Sequence, residues 1–126
     1  MATRNLLILT ASIETAAGLA LLFSPRLVAE LLLGASLDAP AALIVARMTG
    51  AALLSLGCAC WLARDDAPSR ACRGLLAAML LYNGASVAVL AHAGARLGLV
   101  GVLMWPTTAL HAVLVLWCVV CLRSGR

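Results

Sequence analysis

Four long apolar runs, joined by short polar segments, leave this chain few ways to fold. They cover about 5–23, 40–63, 74–93 and 98–122, and each can cross a bilayer, which takes roughly 20 apolar residues in a helix. In lipid the backbone must satisfy its own hydrogen bonds, so isolated runs of this kind become helices. Composition agrees: 64% of the 126 residues are hydrophobic and 11% are charged, against about 25% charged in a soluble domain. The mean hydropathy is +1.08. The expected fold is therefore all-α, a four-transmembrane-helix bundle forming one integral membrane domain over 1–126, with the lipid bilayer as its main partner. Four spans use about 80 residues, which leaves no room for a soluble catalytic domain.

The joints carry their own signals. Arg4 followed by an apolar run imitates a signal peptide, but Glu14 interrupts the run and the stretch continues past signal length, so it is read as a retained anchor. Ser24 and Pro25 end it and suit the cap and first position of a short helix over 25–33, stopped by Gly34. Leu27, Val28, Leu31 and Leu32 make most of that helix apolar, while Arg26 and Glu30 stand one turn apart, as in a helix lying in the interface between spans one and two. Asp38 and Pro40 open span two, and Trp61 and Arg64 close it at headgroup level. Asp66 or Ser69 caps span three, Gly94 is expected to break it, and Pro106 to kink span four.

The net charge is +4, and all nine cations are arginine. In a soluble protein such a balance suggests nucleic acid. Here the arginines gather at helix ends, and only 4% of residues are aromatic with no basic stretch interleaved among them, so nucleic acid is not an expected partner. Arg4, Arg64, Arg70, Arg73, Arg123 and Arg126 fall on the side of the two termini, and only Arg26 and Arg96 lie outside the spans on the other. The positive-inside rule then places the N- and C-termini in the cytoplasm.

Ionisable and strongly polar groups inside a membrane are costly, about 2.5–3.5 kcal/mol for a charge at a helix centre, so they are the residues to examine for function. Glu14, Asn83 and His111 fall near the middle of spans one, three and four, and Arg47 lies in the outer third of span two. One reading makes these four a buried site for a small ligand or proton: Glu14 and His111 exchange the proton, Asn83 orients the ligand and Arg47 is the counter-ion. The other has them hydrogen-bond one another and set helix register. Arg47 could also snorkel to the surface.

Five cysteines sit near the cytoplasmic ends of the helices, where thiols stay reduced. Cys118 and Cys121 share a helical face, and with Cys58 and Cys72 they form a candidate soft-metal thiolate set; the alternative is that cysteine serves as a small apolar packing residue. His92 and His111 differ in depth by about 15–20 Å at 1.5 Å per residue, too far to hold one haem, and His92 reads as interfacial. Ser12, Ser55 and Ser86 have no base and acid partners at matched depth, so no enzymatic chemistry and no cofactor are expected.

The stretch SPRLVAELLLGASLDAP, followed by ARMTGAALLSLGCACWLAR, resembles the first half of small bacterial four-helix membrane proteins of the DoxX-like kind, which share a surface helix after span one and a span two rich in glycine and alanine. The resemblance covers about half the chain. It implies a multi-pass protein of the bacterial inner (cytoplasmic) membrane and assigns no site residue. Glu14 within SIETAAG is also similar to the single membrane glutamate of small multidrug-resistance transporters, but the later spans lack that family's aromatic-glycine pattern, and the charge bias opposes its dual topology. The expected role is non-enzymatic: a polar centre that binds or passes a small ligand or proton. The alternatives are an accessory or assembly subunit of a larger membrane complex, and thiolate metal binding. The Gly-rich stripes suit internal packing or a homo-oligomer equally.

Overall fold

The computed structural model describes residues 1–66 and 69–124. It is all-helical over the described residues, with α1 Ala2–Phe23, α2 Pro25–Leu33, α3 Pro40–Ala63, α4 Arg70–Leu97 and α5 Met104–Ser124. Helices α1, α3, α4 and α5 are each long and apolar enough to cross a membrane, and α2 is the short helix between the first two. The buried positions recur at heptad-like spacing, Gly50, Leu53, Gly57 and Cys60 on α3 and His111, Leu114, Cys118 and Cys121 on α5. That period suits long helices packed nearly antiparallel.

The bundle is built as two close pairs, α1 with α3 and α4 with α5, which approach each other far less closely than their members do. Lipid tails are as apolar as leucine, so close packing holds such pairs together and small residues favour it. Glycine supplies it in the first pair: a Cβ added at Gly18 would lie 2.7 Å from the Gly50 carbonyl oxygen, and one at Gly57 would lie 2.8 Å from Thr15 Oγ1. Between the pairs, the half nearer the termini is filled by Leu6, Leu7, Cys60, Leu76, Met79, Leu114 and Cys118. At the opposite end, Leu90, Ala93 and Met104 form a smaller core against Leu32, Leu33 and Leu99. The space between these two cores is not filled.

Helix α2 roofs that space. Pro25 occupies its first turn, and Gly34 ends it in the left-handed conformation (φ 66°), with its N–H donating to the Glu30 carbonyl. The segment before α5 is stitched to the end of α2: Gly101 N–H donates to Leu32 O at 3.2 Å and Leu103 N–H to Leu31 O at 2.8 Å. These bonds occupy carbonyls that a helix C-terminus leaves unpaired.

Two boundaries differ from the sequence expectation. Helix α4 runs through Gly94 and stops at Gly98 (φ 66°); Gly94 instead makes room for the Trp105 ring, which lies 3.2 Å from where its Cβ would be. The last span begins at Met104 and not near 98, so Pro106 sits in the first turn of α5 and produces no kink; a proline N–H is not needed there. Ser69 is the cap of α4, accepting from Cys72 N–H at 3.0 Å.

At the end of the termini, Arg4 Nε donates to Asp65 Oδ1 at 2.7 Å, joining the start of α1 to the α3–α4 turn, and Arg64 stacks over Trp61 at 4.2 Å. The hydrogen bond and charge of Arg4 hold the exposed Asp65 carboxyl below the usual aspartate range. A depressed carboxyl stabilises the fold above the ordinary carboxylate range and loses that contribution as pH falls through its folded value. Arg4→Ala is expected to return the Asp65 titration, followed by carboxyl carbon NMR, towards the ordinary range and to leave stability at neutral pH nearly unchanged, as for an exposed pair.

Candidate functional site

The polar side chains meet at the floor of the unfilled space, where it borders the packed core. Glu14, on α1, is 1% exposed and Asn83, on α4, 0%. Tyr82, the neighbour of Asn83, turns the other way and donates its hydroxyl to Glu14 Oε2 at 3.3 Å. Glu14 Oε1 is buried with no hydrogen-bond partner among the described residues. Asn83 Nδ2 donates to Met79 O at 2.8 Å, back along its own helix, and its Oδ1 lies 2.7 Å from His111 Nδ1 on α5. The Tyr82 and His111 rings meet edge to face, with centroids 5.7 Å apart. Glu14, Tyr82, Asn83 and His111 thus form one cluster across α1, α4 and α5, tying the two helix pairs together.

Above the cluster lies a half-open cavity of about 700 Å³, within the range of small-molecule sites, roughly 300–1,000 Å³. All five helices contribute: Ala17 and Leu21 from α1, Leu27 and Leu31 from α2, Leu53 from α3, Ala85 and Val89 from α4, Thr107 and His111 from α5. The wall is overwhelmingly apolar. Tyr82 and His111 provide its polar floor, with Ser86 and Thr107 higher on the wall. Ser86 Oγ is committed to the Tyr82 carbonyl at 2.9 Å.

Of the four residues singled out in the sequence, Glu14, Asn83 and His111 come together and Arg47 does not. Arg47 is exposed on α3, and no ion pair links it to Glu14 among the described residues. Position 47 lies one turn before Gly50, towards the start of the helix, so its side chain points away from mid-bilayer. Tyr82 was missed. Its signal was available: it is the chain's single tyrosine, and it lies mid-span instead of at the interfaces where membrane tyrosines gather.

The cysteines separate in the same way. Cys60, Cys72, Cys118 and Cys121 are buried in one core cluster. Cys58 is exposed, in a groove on the far side of the α1–α3 pair beside Thr15 and Trp61. Two residues apart on a helix point nearly opposite ways, and Cys60 took the inward place. Among the described residues no three or more His, Cys, Asp or Glu side chains converge as metal ligands. His92 is exposed on α4.

Comparison with protein-family models, with curated proteins and with solved structures finds no match for this chain.

Proposed function

We propose that this membrane protein binds a lipophilic small molecule within the bilayer, in the cavity between its two helix pairs. The observation that carries this reading is the combination of an apolar wall with a polar floor in which His111 and Tyr82 connect to buried Asn83 and Glu14. A wall of this kind accepts a hydrocarbon body, and a few fixed polar groups orient it. Binding suits the floor better than proton conduction, because Tyr82 and His111 share a ring contact and not a hydrogen bond, which interrupts any relay from Glu14 to Asn83. The arginine bias supports an orientation with both termini in the cytoplasm, and the DoxX-like resemblance of the first half supports a bacterial inner membrane.

Ala85→Trp tests the reading. Ala85 lines the cavity with its small side chain, and an indole there occupies the ligand's volume. In lipid nanodiscs, saturable binding of radiolabelled dodecanol is expected for the natural protein and at least a tenfold loss for the variant. Equal, non-saturating uptake by both would overturn the proposal.

A further inference from the structure

The hydrogen-bond network around His111 determines which nitrogen carries its proton, and with it the kind of group the cavity selects. The Asn83 amide atom 2.8 Å from the Met79 carbonyl must be the nitrogen, because a carbonyl oxygen only accepts. The other amide atom is then the oxygen, and it too only accepts. His111 Nδ1, 2.7 Å away, is therefore the donor. A neutral imidazole with its proton on Nδ1 carries a lone pair on Nε2.

His111 is 9% exposed and what it shows faces the cavity, whose wall it forms. Nε2 has no hydrogen-bond partner among the described residues and is not among the fully buried polar atoms, so the accessible edge of a ring that lines the apolar cavity carries an acceptor without a donor. The acyl tail of a bulk lipid entering from the open side brings only methyl and methylene groups to it. Burying such an acceptor unpaired is costly, and a ligand that supplies a donor removes that cost.

We infer that the ligand is a hydroxylated lipophile, an alcohol or phenol whose O–H donates to His111 Nε2 while its hydrocarbon part extends along Leu53, Ala85 and Val89 towards α2. This rests on the cavity being the binding site, as proposed above. The hydroxyl lies in mid-bilayer and the hydrocarbon towards the surface, the reverse of an ordinary membrane amphiphile. Selection follows from the lone pair: an ether or ketone of the same shape sets two acceptors face to face and is rejected.

The test compares dodecanol with dodecyl methyl ether in nanodiscs, for the natural protein, His111→Asn and Ala85→Trp, with the nitrogen NMR of labelled His111 followed in parallel. Asparagine at 111 keeps an N–H near the position of Nδ1 and removes Nε2. The expected result is about tenfold tighter binding of the alcohol, a shift of the Nε2 resonance on its addition, and loss of the preference in His111→Asn. Equal binding of the two probes with both blocked by Ala85→Trp, or tighter binding of the ether, would overturn the donor rule and leave the cavity as the site. Indifference of both probes to Ala85→Trp would overturn both.

Discussion

Gly50→Val is expected to lower the stability of the bundle by about 2–3 kcal/mol, at the upper end of the usual cost of overpacking. A Cβ at Gly50 would lie 2.7 Å from Gly18 O and 3.0 Å from Leu22 N. Both are backbone atoms of a membrane-spanning helix and neither can rotate away, so α1 and α3 must separate. The contact is reciprocal, since a Cβ at Gly18 would meet Gly50 O at 2.7 Å and Leu54 N at 2.9 Å. Thr49 and Leu53, which flank Gly50, line the cavity, so separation also reshapes the pocket. Gly84 is the internal control: it lies in α4 with nothing within 4 Å of its would-be Cβ, and Gly84→Val is expected within about 0.5 kcal/mol of the natural protein. Reversible unfolding in bicelles measures both. Equal stabilities would show that the close approach of α1 and α3 contributes little.

Asn83→Leu is expected to release the His111 tautomer. Leucine fills the space but cannot accept from Nδ1, which leaves a donor buried between α4 and α5. Mutational series put such a loss at about 1–3 kcal/mol, while cycles on interhelical bonds in membranes average about 0.6 kcal/mol and reach about 1.7. The membrane value decides here, because the unfolded reference is also in lipid, and a destabilisation of about 1 kcal/mol is expected. The larger effect is chemical. With its partner gone, the ring can place its proton on Nε2 and present a donor to the cavity. Nitrogen NMR of labelled His111 should change from one Nδ1–H form to a mixture, and the alcohol's advantage over the ether should shrink with it. An unchanged Nδ1–H signal would mean that another group holds the proton in place.

Much of the candidate site was legible in the sequence for one physical reason: a polar side chain in the middle of an apolar run must turn inward or carry a large cost. That argument located Glu14, Asn83 and His111, all of which are buried. It was weaker for Arg47, whose long side chain can reach the surface from the outer third of a span, and it passed over Tyr82, because it weighed only ionisable and amide side chains and not the hydroxyl of a mostly apolar ring. The cysteines show the limit of spacing alone. Cys58 and Cys60 point opposite ways, and helical geometry does not say which way is inward.

The fold divides along the same line. By itself the sequence determined the helices, through runs of apolar residues that in lipid have no alternative to closing their own hydrogen bonds, and it placed α2 by the Pro25 and Gly34 signals. Only the tertiary structure decided how the helices pair. Lipid is as good a neighbour as leucine, so apolar patterning could not choose partners among α1, α3, α4 and α5. Backbone contact at Gly18, Gly50 and Gly57 made that choice for α1 and α3. Once those two lie close together, side chains fill the gap between the pairs at both ends and leave a cavity between the two cores, a volume encoded in no single residue.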